Sequence, residues 1–136
     1  MEIREFGAEK QETIIFLHGG GLSWWNYRKE AEMLQSDYHI VLPVLDGHAG
    51  SDRSFTSIEN NDAEIIEFID KHCDGKVLMH DKSNAHILWQ KNPNLHYLPD
   101  LERLVNPYLQ SNPSSIVAVP CRLGHLMRPP LSHPLP

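Results

Sequence analysis

Apolar and polar positions along the first eighty residues fall into short blocks of two kinds. Ile14-Ile-Phe-Leu17 is an unbroken apolar run rich in β-branching, which predicts a strand buried on both faces inside a mostly parallel sheet. Tyr38-His-Ile-Val-Leu-Pro-Val-Leu45 predicts a second central strand, with Pro43, which lacks an N–H, near its C-terminal end. Lys76-Val-Leu-Met79 opens a third. Between them the period changes to that of a helix. Asn26 is placed to cap a helix through Tyr27–Gln35, with Tyr27, Ala31 and Leu34 on one face. A longer helix is predicted over Asn61–Cys73, where Asn60, Asn61 and Asp62 offer N-caps and Gly75 can close the end. Its apolar face is Ile65, Ile66, Phe68 and Ile69, with Glu67 and Lys71 paired on the solvent side. Glu2–Phe6 alternates weakly, as an opening strand that pairs with its successor.

Strand, helix, strand, helix, strand in that order implies right-handed crossovers and an α/β fold, a mostly parallel sheet with flanking helices. The pattern dissolves beyond Pro93. Residues 1–92 are therefore expected to form the folded part and residues 93–136 an irregular, proline-rich tail, in which Leu101–Leu104 makes a short turn of helix and Ile116–Val119 one added strand. Composition changes with it: nine of ten prolines follow residue 92, and one glycine, Gly124, follows Gly75. Net charge is −8 over residues 1–80 and +2 over residues 81–136. A sheet ending on the third strand would leave an exposed parallel edge, so self-association is expected unless Ile116–Val119 covers it.

At 136 residues the chain is one domain at most, short for a sheet covered on both sides. A net charge of −6 without a basic patch argues against nucleic acid as a partner. No apolar run approaches the ~18 residues that span a bilayer, and acidic residues stand where a secretory leader carries positive charge. A cytoplasmic protein without membrane contact is expected. Cys73 and Cys121 lie far apart and are read as free thiols, and none of the nine histidines stands at a helical metal-ligand spacing, so no metal and no cofactor are implied.

The candidate chemistry begins where the first buried strand ends, in His18-Gly-Gly-Gly21. Glycines there put backbone amides into a tight, open loop. A phosphate cradle is excluded, because neither phosphate-binding glycine pattern is present. An oxyanion loop of an acyl-transfer enzyme and a plain turn between strand and helix both remain open. Trp24 and Trp25 can stack on a ligand or pack the following helix onto the core.

Strand-His-Gly-Gly-Gly, an aromatic-rich helix start, and a second strand closing in Leu45-Asp-Gly-His-Ala-Gly-Ser-Asp52 together resemble the N-terminal half of an α/β-hydrolase, of the esterase and lipase-like branch. The resemblance covers roughly Glu2 to Met79 and implies a serine hydrolase acting on a small carboxylic ester or related acyl substrate. It also implies that the Asp46-Gly47-His48 loop borders the active site, with His48 structural. Family members carry a Gly-x-Ser-x-Gly elbow after the third strand. The matching stretch here is His80-Asp-Lys-Ser-Asn-Ala85, which makes Ser83 the nucleophile and the amides of Gly20, Gly21 and Asn84 the oxyanion donors.

This stretch departs from the family. Both elbow glycines are missing, and Asp81 brings negative charge close to where an oxyanion would develop. After Ser83 the available acids are Asp100 and Glu102 and the histidines His86, His96, His125 and His133, among which Asp100 with His125 preserves the family's order of serine, acid and histidine. The lost elbow, the composition break and the short length together admit a second reading, a truncated or frame-altered, catalytically inactive remnant that at most binds a small ligand.

Overall fold

The apolar blocks become the inner strands of a five-stranded sheet in a computed structural model that describes residues 1–81 and 88–111. The strands are β1 (Glu2–Phe6), β2 (Thr13–Leu17), β3 (His39–Val44), β4 (Val77–Asp81) and β5 (Leu95–Tyr97), in the spatial order β1-β3-β2-β4-β5. All neighbours are parallel except β1, which runs antiparallel along β3. The helices are α1 (Arg28–Leu34), α2 (Ile58–His72), α3 (Leu88–Lys91) and α4 (Leu101–Ser111).

Period-two alternation along β2 divides the core. Ile15 and Leu17 join Val41, Val77, Met79 and the α2 residues Ile65 and Ile69 on one face. Ile14 and Phe16 join Ile40, Leu42, Ala31 and Leu34 of α1, and Leu101 and Val105 of α4, on the other. Burying each such side chain contributes roughly 1.5–3 kcal/mol, so β2, covered on both faces, anchors both layers. Pro43 is tolerated because the ladder between β2 and β3 ends at Val41.

Several expectations are corrected. β1 pairs with β3, because β3 and β4 already occupy both edges of β2. A 3₁₀ turn over Trp24–Tyr27 contains Asn26, and α1 follows from Arg28, so Asn26 is not its cap. α2 begins at Ile58, one turn before Asn61, because the Ser57 hydroxyl accepts the Asn60 N–H at 3.0 Å. Regular structure also continues beyond residue 93. β5 pairs with β4 and so covers the edge expected to be exposed, while α4 is a helix of 11 residues around Pro107 rather than a short turn. The strand expected at Ile116–Val119 lies outside the described residues.

At the amino ends of β2 and β3, the buried Thr13 and His39 are joined by the exposed Glu5 near the carboxyl end of β1. His39 Nδ1 and Thr13 Oγ1 lie 3.3 Å apart, and His39 Nε2 meets Glu5 Oε2 at 2.7 Å, joining β1, β2 and β3. Burial pushes the nearby Cys73 thiol up, away from its reactive form.

Candidate functional site

β2 and β4 lie side by side with Leu17 opposite Asp81 at their carboxyl ends. From β2 the chain crosses to β3 on one side and then returns past β2 to β4 on the other. Strand order therefore reverses at this point, and open α/β sheets hold their ligands in the crevice it creates.

The loop leaving β2 starts with His18, which is fully buried. Its Nε2 accepts the Leu45 N–H at 3.1 Å, which leaves the proton on Nδ1, 3.1 Å from the Gly19 carbonyl it donates to. Burial lowers its pKa, the Gly19 carbonyl opposes that shift, and His48, with its ring 5.1 Å away, adds to it. With both nitrogens engaged, His18 is a neutral strut between the ends of β2 and β3 and has no lone pair left to move a proton.

Beyond it the Leu22 N–H donates to the Gly19 carbonyl at 3.2 Å, and Gly21 sits at φ +74°. This is the pattern of a type II turn, whose third position needs glycine. Gly20 and Gly21 are exposed, a side chain added at either meets nothing within 4 Å, and no hydrogen bond occupies either N–H among the described residues.

The loop after β3 forms the facing wall. Asp46 is buried, its N–H donates to Asn61 Oδ1 at 2.9 Å, and its Oδ2 lies 3.3 Å from the Arg53 guanidinium. Gly47, at φ +77°, brings its backbone so close to Phe55 that a Cβ would stand 2.5 Å from that residue's own. Arg53 also grips Glu64 with two hydrogen bonds of 2.8 and 2.6 Å. That guanidinium, helped by the Met1 amine, holds the Glu64 carboxyl at about 2. His48 donates from Nδ1 to the Asp46 carbonyl at 3.2 Å, closing the loop on itself.

Between these walls lies a cavity of about 270 Å³. Leu17, Leu45, Ile65 and Leu88 give it apolar sides, and the exposed Phe55 and Ile58 stand at its rim. Its polar groups are Gly20, His48, Asn61 and Asp62.

The sequence-predicted residues separate here. Gly20 lines the cavity and Gly21 is the next residue along the turn. Asp100 does not line it: this residue is exposed at the start of α4, where its Oδ1 accepts the Arg103 N–H at 3.0 Å as a helix cap. Ser83, Asn84 and His125 lie outside the described residues. Trp24 packs against the core with Arg4 over its ring, whereas Trp25 is 48% exposed. Asn61 and Asp62 carry more than the helix capping read into them. Their positions four and three residues before the buried Ile65 put them on the inward side of α2, a signal the sequence does contain. Among the described residues no three His, Cys, Asp or Glu side chains converge as a metal site, and no helix is long and apolar enough to cross a membrane.

No protein-family model matches the chain, and no curated protein matches it. Solved structures do. A thioesterase domain from the curacin biosynthetic pathway superposes with a TM-score of 0.61 at 21% identity, over 87% of this chain and 50% of that one. A marine microorganism esterase gives 0.60 at 21% identity, over 75% and 46%. An epoxide hydrolase from Vigna radiata gives 0.59 at 23% identity, over 68% and 31%. The chain thus spans half or less of each of these structures. These likenesses show the fold alone: the mostly parallel sheet with its flanking helices matches part of an α/β-hydrolase arrangement.

Proposed function

We propose that this chain is an α/β-hydrolase-type serine hydrolase acting on a small carboxylic ester or related acyl compound. One observation carries the reading: Gly20, whose N–H has no hydrogen-bond partner among the described residues, lines a largely apolar cavity at the carboxyl end of β2, beside the strand that leads to Ser83. In this mechanism the Ser83 hydroxyl attacks the acyl carbon while a histidine takes its proton and later returns it to the leaving group. The N–H groups of Gly20 or Gly21 and of Asn84 hold the oxyanion, stabilising the charge that develops as the carbonyl becomes tetrahedral. The apolar walls receive the rest of the acyl group.

The cap that Asp100 supplies to α4 favours a second reading for the acid, and with it a catalytically inactive remnant that binds a small ligand in the same crevice. Ester turnover separates the two. Gly20→Pro deletes the one N–H at a turn position that proline favours, so an active enzyme loses about 10²–10³-fold in kcat on a p-nitrophenyl ester. Equal rates for the two proteins, at the level of buffer alone, would support the inactive reading.

A further inference from the structure

His48 stands half-buried in the cavity wall with one ring nitrogen engaged and the other free. A carbonyl oxygen can only accept, so the 3.2 Å contact with the Asp46 carbonyl puts the proton on Nδ1. In the neutral ring Nε2 is then an acceptor. It has no hydrogen-bond partner among the described residues and, unlike Asp46 Oδ1, it is not sealed from solvent. His18 differs, since both of its nitrogens are occupied.

The other polar side chains of the wall are already committed. Asn61 accepts the Asp46 N–H with Oδ1 and donates from Nδ2 to the Ser57 carbonyl. Asp62 Oδ2 is sealed within the protein, with Lys91 Nζ 3.8 Å away. The cavity thus presents a backbone N–H at Gly20 and a lone pair at His48, between apolar walls formed by Leu17, Leu45, Ile65 and Leu88.

That lone pair selects the chemistry of a ligand. An ether or carbonyl oxygen set against Nε2 meets lone pair with lone pair, whereas an O–H bonds to it. An ammonium would bring three N–H groups and a net charge into apolar surroundings, where a hydroxyl brings one donor and no charge. Size sets the rest. A cavity of about 150 Å³ takes up a benzene ring, so one of about 270 Å³ has room for a chain of about six carbons.

We propose that His48 is a specificity-determining residue whose Nε2 accepts a hydrogen bond from a hydroxyl on an otherwise apolar acyl substrate. This rests on the hydrolase reading for the ligand's being a substrate, but the binding itself needs no turnover.

The experiment is an NMR titration of the ¹⁵N-labelled full chain, near neutral pH, with 1-hexanol and 1-methoxypentane, isomers with and without an O–H. Hexanol is expected to bind wild type about threefold or more tightly than the ether, the net effect of one hydrogen bond, and to move the His48 Nε2 resonance as the ether does not. His48→Asn keeps an N–H for the Asp46 carbonyl but has no atom at the place of Nε2, so it should lose the preference, whereas a purely structural role for His48 would leave it unchanged. Amide spectra establish that the variant is folded; if it is not, the Nε2 resonance of wild type decides. Equal binding of the two isomers to wild type, a preference that survives His48→Asn, or an Nε2 resonance that hexanol leaves in place would overturn the proposal. Hydrolysis of p-nitrophenyl hexanoate by the same samples tells the two failures apart: no hexanol preference with turnover intact sinks only the role of His48, and absent turnover with the preference intact sinks only the hydrolase chemistry.

Discussion

Asn61 accepts the Asp46 N–H at 2.9 Å and donates its own amide to the Ser57 carbonyl, also at 2.9 Å. One buried side chain thereby fixes the start of α2 to the loop that closes β3, and both of these form walls of the cavity. Asn61→Ala leaves the Asp46 N–H buried without a partner, so a loss of about 1–3 kcal/mol in urea denaturation is expected. Asn61→Asp keeps that acceptor but loses the donor to Ser57 and buries a carboxylate beside Asp46 and Asp62, so it should lose at least as much.

The two exposed glycines of the turn should respond differently to substitution. Gly21→Ala places a side chain at φ +74° and is expected to cost about 1–2 kcal/mol, although the space around it is open. Gly20 is not at positive φ, so Gly20→Pro should remain within about 1 kcal/mol of wild type. Denaturation midpoints of the two variants check the contrast.

His18 makes stability depend on pH with a defined sign. The folded state keeps its imidazole neutral below its ordinary value of 6.5, whereas the unfolded chain takes up the proton there. Its contribution is complete above about 6.5 and is lost as pH falls toward the depressed folded value. Stability measured against pH should fall more steeply over this acid range in wild type than in His18→Asn.

The pair formed by Arg53 and Glu64 titrates lower still. With the Glu64 carboxyl at about 2 against an ordinary 4.5, its stabilisation is present above 4.5 and fades as pH falls toward 2. Both side chains are partly solvated, so water screens the pair and it adds little to stability. An NMR titration of the Glu64 carboxyl should have its midpoint near 2 and return toward the ordinary range in Arg53→Met.

The inner strands were legible because burial on both faces forces an unbroken apolar run, as in Ile14–Leu17. Their neighbours were not. Nothing in the period of Glu2–Phe6 says that β1 passes its successor and lies along β3, since pairing is set by which sheet edge remains open. α4 was hidden by Pro107, which reads as a helix stop although Leu101 and Val105 are buried one turn apart before it. β5, at three residues, is too short to show any period. At the site, the glycine loop announced itself by composition, whereas Asn61 and Asp62 look like ordinary polar residues at a helix start. Their spacing from Ile65 places them on the inward side of α2, but only the fold shows that a cavity lies there.

The most direct test of the central claim is labelling of the full chain with a fluorophosphonate probe, followed by peptide mapping. The probe reacts with a serine only where a base and an oxyanion site activate it. A single adduct on Ser83, absent from Ser83→Ala, is the predicted result. No adduct, or one that persists in Ser83→Ala, would contradict the claim that the crevice beside Gly20 supports acyl transfer.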